Sequence, residues 1–286
     1  MFSLTVSRVR GNVLVAFLAS LVLASEVAFT KTFGYALLDA VAVAFVSVAT
    51  YLSLFSRNRF VSGAVWGAAL ASKLSTAYPF AGLVFARLSE RRFREVLVEV
   101  LSATTIYVAS FLGNLFCPGG GPAVFFQHLL FVPDYMVSRH SLSIYKSVHG
   151  LLATLLKIDI WRSAHPVNVT ITPGTEVSVQ LPAGPVGMEV EVYPWLSGFL
   201  LPASVALITY ALLRFRNLSR DVRVVTVLTV LSYVNVLHGP IFWYFTLPTY
   251  YLALLAGAML SRKALTVLAV ANVVSLLVVY FLGIRY

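Results

Sequence analysis

Glu26, Asp39 and Lys73 are the residues whose types and surroundings could do chemistry, because each lies within or beside a long apolar run. A charge placed among apolar helices is costly, and it normally faces a cavity or pairs with its opposite. The three would therefore line a polar path, face a shared polar pocket, or form structural ion pairs, Asp39–Lys73 or Glu26–Lys31. Soluble-enzyme patterns are missing. Gly119–Gly120–Gly121 follows an apolar run and lacks the strand-to-helix setting of a phosphate-cradling loop. His140 and His149 are nine residues apart, not at helical metal-ligand spacing. The single cysteine, Cys117, excludes an internal disulfide and a cysteine-based metal cluster. No metal or cofactor is implied.

The elements that must position these residues follow from composition. Of 286 residues, 59% are hydrophobic and 11% charged, less than half the roughly 25% charged residues of a soluble domain. The mean hydropathy is +0.87. Apolar runs at about 12–29, 34–55, 96–116, 195–213, 224–237, 240–260 and 264–282 are candidate membrane spans. The segment 61–88 is different, since it carries Lys73 near its middle and Pro79 six residues later. Arg57 and Arg59 precede it, while Arg87, Arg91, Arg92 and Arg94 follow it. Both flanks call for the cytoplasmic side, so two short helices meeting near Lys73–Pro79 satisfy the loop charges where one span does not.

The fold expected is an all-α polytopic membrane protein with about nine crossings, including that short broken hairpin. Its regions are N-terminal helices over 1–116, an extracytoplasmic loop over 117–194, and C-terminal helices over 195–286. The expected localisation is the cell membrane, with a cytoplasmic N-terminus and an extracytoplasmic C-terminus. The net charge of +10 lies in short clusters between apolar runs, which fits a bilayer partner rather than nucleic acid. Within the long loop, 122–156 reads as an amphipathic interfacial helix. Val167, Val169 and Ile171, a Pro173–Gly174 turn, then Val177, Val179 and Leu181 read as a small β-hairpin.

Four blocks carry a family resemblance. Phe33–Gly34–Tyr35–Ala36–Leu37–Leu38–Asp39 resembles the Leu-Leu-Asp motif of protein O-mannosyltransferases, membrane GT-C glycosyltransferases that use a dolichyl-phosphate-linked sugar. The stretch 62–75, small-residue-rich and ending near Lys73, is similar to that family's next block. Tyr193–Pro194–Trp195–Leu196 resembles its return from the outer loop, and 239–248 its aromatic block. The resemblance implies transfer of a sugar, mannose by family likeness, from a polyprenyl or dolichyl phosphate to a protein or lipid acceptor on the outer membrane face. It implies Asp39 as the catalytic carboxylate, with Lys73, Lys31 and His238 at the lipid-phosphate sugar. The departures are Gly34 where the family has arginine, and no counterpart of its first outer acidic loop. The expectation is therefore a truncated enzyme, a split subunit whose partner supplies this loop, or a degenerate, inactive relative. A transporter component and a non-catalytic scaffold are the alternatives.

Overall fold

The computed structural model describes residues 1–26, 29–30, 38–139, 158–159, 169–170, 178–179, 191–192, 199–200, 202–238 and 245–281. The chain is built from helices whose ends are set by local chemistry. α1 (Phe2–Arg10) stops at Gly11, which takes the left-handed φ of 63° that a residue without Cβ adopts freely. α2 (Val13–Ala24) is capped by Asn12 and α4 (Arg59–Ser72) by Asn58, each side chain accepting a backbone N–H three residues on at 3.1 Å. Between them runs α3 (Leu38–Phe55). Asn58→Ala is expected to cost ~1 kcal/mol, read as a fall of about 3 °C in Tm.

α4 ends at Lys73, in extended backbone at φ −161°, ψ 119°, and a 3₁₀ turn over Leu74–Thr76 leads into α5 (Ala77–Ser89). Pro79 does not make this break. It occupies the first turn of α5, where its missing N–H removes no helical bond. α6 (Phe93–Ala109) and the single turn α7 (Gly113–Phe116) follow, then α8 (Pro122–Arg139). The helix expected over 122–156 is thus described from Pro122 to Arg139. Two-residue strands β1 (Ile158–Asp159) and β4 (Glu191–Val192) pair antiparallel, as do β2 (Val169–Thr170) and β3 (Ser178–Val179). Val169 stands opposite Val179, one residue in each of the two segments expected to form the hairpin. α9 (Ser204–Leu213), α10 (Arg220–Ser232), α11 (Thr246–Met259) and α12 (Arg262–Phe281) complete the fold.

The expectation of about nine crossings is overturned. Among the described residues one helical run, Phe93–Phe116, is long and apolar enough to cross a membrane. Several of the other apolar runs are shortened or split. The 12 residues of α2 rise only about 18 Å, against a hydrocarbon layer of ~30 Å. α9 has 10 residues, and the run at 224–237 is split between α10 and a 3₁₀ turn over Tyr233–His238. Counting apolar residues does not register where a helix is capped, and length is what the expectation turned on.

Packing centres on α11, which is buried from Thr246 to Ala258. α4 and α6 come closest at Gly63 and Gly67. A Cβ at Gly63 would lie 2.3 Å from the Glu99 carbonyl oxygen, and one at Gly67 would lie 2.4 Å from that of Ala103. Side-chain polarity runs inward. On α6, Phe93, Leu97 and Leu101 are exposed while Glu99 and Ser102 are buried. On α12, Val267, Val270, Val274 and Leu277 face outward while Asn272 and Ser275 are buried. Water-facing helices show the reverse arrangement.

The basic clusters gather at one end of the bundle. The Arg8 guanidinium lies over the rings of Tyr51 and Phe55, and Arg10 donates to the carbonyls of Ala258 and Leu260. Arg59 and Arg87, which flank the broken helix pair, both donate to the Ser53 carbonyl at 2.9 and 2.8 Å. α4 and α5 therefore fold back on each other. Arg220 bonds both carboxylate oxygens of Glu90, at 3.1 and 2.8 Å.

Candidate functional site

Asp39 stands in the first turn of α3, where the helix dipole favours a carboxylate. Lys73 sits at the elbow between α4 and α5, and that elbow is fixed by its own backbone. Its N–H donates to Ala69 O at 3.0 Å, and its carbonyl accepts from Thr76 N at 3.1 Å and Thr76 Oγ1 at 2.9 Å. From this position the Lys73 ammonium reaches across and pairs with Asp39 Oδ1. The two side chains are 22% and 7% exposed, so the carboxylate is covered while the ammonium keeps an open side. An ammonium has three protons, and two remain for a ligand once Asp39 has taken one. Asp39 is 16 residues before Phe55 on α3, about 24 Å along the helix. The pair therefore lies at the end of the bundle opposite the arginines.

The other sequence candidates are not all gathered here. Glu26 is buried and accepts from Asn272 Nδ2 at 2.9 Å, which ties the end of α2 to α12. Asn272 also donates to Val22 O at 3.2 Å and accepts from Phe199 N at 2.7 Å. Lys31 lies outside the described residues, as does most of the block 33–39. His238 closes the 3₁₀ turn Tyr233–His238, and its side chain is outside the description. Of the two structural pairs envisaged from sequence, Asp39–Lys73 is present, and Glu26–Lys31 falls outside the described residues.

A second polar centre was not singled out from sequence. Arg87 and Glu99 form an ion pair with both side chains 1% exposed. Ser62 donates to Glu99 Oε1, as does Ser53 at 3.3 Å, and Trp66 Nε1 donates to Ser53 Oγ at 3.0 Å. Arg87 reads from sequence as one more loop arginine, and Glu99 as the edge of an apolar run. The available signal was an acidic residue three positions inside such a run, facing the small residues Ser62, Gly63 and Gly67. This centre is closed to solvent, so its work is to fix α4, α5 and α6 in register rather than to bind a ligand. Around it, Arg59 bonds Glu95 at 2.6 Å and Arg92 pairs with the same carboxylate. With Glu95 28% exposed, those outer pairs are worth little, about 0–1 kcal/mol each.

Asp39–Lys73 thus combines a cation with an accessible side, a carboxylate at hand and a rigid elbow. No family model, no curated protein and no solved structure matches this chain.

Proposed function

We propose that the Asp39–Lys73 pair is the polar centre of a site for a polyprenyl-phosphate-linked sugar. In this reading the chain is a GT-C-type glycosyltransferase, or the partner-dependent part of one, working at a membrane surface. The observation that carries it is convergence: Asp39 and Lys73 belong to separate blocks of the family resemblance, 34 positions apart, and their side chains meet. The open side of the ammonium suits phosphate oxygens, which become the leaving group when the sugar is transferred. The carboxylate beside it suits removal of a proton from an acceptor hydroxyl. Association with a bilayer is supported by the outward apolar stripes of α6 and α12, surfaces of the kind that mark membrane or partner contact.

Binding and transfer measured separately on two variants test the proposal. Lys73→Ala is expected to weaken binding of a radiolabelled polyprenyl-phosphate sugar about ten-fold, the loss of ~1.4 kcal/mol. Asp39→Asn releases the ammonium from its partner, so donor binding should hold or tighten while transfer falls by roughly 10²–10⁴. The rival reading is a structural ion pair, and the engagement of Asp39 by Lys73 favours it. On that reading both variants lower Tm, donor affinity does not change, and the proposal fails.

A further inference from the structure

An apolar groove of about 830 Å³ lies between α5, the end of α9 and α10. Its volume falls in the ~300–1,000 Å³ range of ligand sites. Phe80, Val84 and Leu88 form one wall, Val227 and Leu231 the other, and Phe215 stands at one end. Thr226 also lines it, but its hydroxyl is spent on Val222 O at 2.8 Å. From Ala77 to Leu88 the groove follows 12 residues of α5, about 16 Å from first to last. That is long enough for most of an extended acyl chain, and it offers nothing polar to bind.

The groove opens at the basic end of the bundle. Arg214 and Arg216 flank Phe215, and both are exposed. Arg214 stacks on Tyr210, with 5.7 Å to the ring centroid. Among the described residues neither has an acidic partner. Arg223 lies one turn before Val227 on the same face of α10, and its Nε is buried with no hydrogen-bond partner among the described residues. Glu90 and Asp221 are the acids at this mouth. Glu90 is taken by Arg220, and burial pushes the Asp221 carboxyl above the ordinary carboxylate range against the pull of Arg220. Four arginines against two acids leave the mouth positive.

We infer that this groove holds an acyl chain of an anionic phospholipid, with the phosphate at Arg214, Arg216 and Arg223. An apolar groove flanked by guanidinium groups that have no acidic partner among the described residues complements a long tail ending in a phosphate, and a membrane phospholipid supplies both. The site is distinct from Asp39–Lys73 and does not depend on any transfer reaction. Its occupant is a resident lipid that fills the space between α5 and α10.

The test uses the purified full chain in mixed micelles with spin-labelled phosphatidylglycerol or phosphatidylcholine, reading the immobilised fraction. Phosphatidylglycerol should be preferred. That preference should fall about five-fold for each of Arg214→Gln and Arg216→Gln, the factor that ~1 kcal/mol per arginine gives. Because both side chains are exposed, neither change threatens the fold. Val227→Trp, which fills the groove, should lower immobilisation of both lipids. Equal immobilisation of the two lipids by the unaltered chain overturns the inference, as does a preference that survives loss of both arginines. Dimer formation through Leu212→Cys cross-linking, with no immobilised lipid, would assign the groove to a second copy instead.

Discussion

Glutamine in place of Glu99 is expected to lower the unfolding free energy by about 3–5 kcal/mol, a fall in Tm of the order of 10 °C. The size follows from burial. Arg87 and Glu99 are each 1% exposed, so removing one charge leaves the other without solvent or counter-ion. Ser62 and Ser53 both donate to Glu99 Oε1, an acceptor that the amide oxygen retains, so the loss falls on Oε2 and the charge that Arg87 requires. The partner change Arg87→Met should cost a comparable amount. The double variant Arg87→Met with Glu99→Leu separates pairing from packing. Replacing a whole buried pair with apolar groups is often close to neutral, and here the two serine hydroxyls would be left short of an acceptor. The double variant should therefore recover most, but not all, of the loss. Thermal unfolding of the four proteins closes the cycle, and additive single effects would mean that the pair is not coupled.

Gly63→Ala should destabilise by up to about 2 kcal/mol even though alanine is the better helix former. Propensity alone would favour the change by ~1 kcal/mol. The new methyl would stand 2.3 Å from the Glu99 carbonyl oxygen and 2.9 Å from Glu99 Cα. These are backbone atoms that cannot rotate away, so α4 and α6 must separate. Overpacking of that kind costs about 1–3 kcal/mol or more. The separation also pulls on the Ser62–Glu99 bond one residue away, so the net effect is a loss. Gly67→Ala, facing Ala103 O at 2.4 Å, should behave in the same way. Gly113→Ala is the control, because a Cβ there meets nothing within 4 Å and Tm should hold. If Gly63→Ala raises Tm, the helices have slack and the close approach is not a constraint.

The two predictions concern a part of the molecule that sequence reading passed over. Position 99 sits three residues inside the apolar run 96–116, close enough to its start to pass as part of the charged flank. Its partner Arg87 comes from a different helix, and only the fold-back of α4 on α5 brings the two together. What sequence did determine are features with a local physical cause. The helical character of the chain follows from its long apolar runs. The break at Lys73 follows from the cost of an isolated charge within a helix that is otherwise apolar. That the arginines fall in short clusters between the apolar runs is likewise legible in the sequence. That the segments around Val169 and Val179 pair follows from their period-two alternation, while the register itself does not.

Tertiary structure decided the rest. It decided helix length, since α2 stops at Ala24 inside the run 12–29 and the run 224–237 is split between α10 and a 3₁₀ turn. It decided that Asp39 meets Lys73 and that Glu26 is bound to Asn272 on α12. It also decided that Arg87 turns inward while Arg214 and Arg216 remain outside. A charge types a residue, but its role depends on what stands opposite, and the groups opposite come from distant parts of the chain.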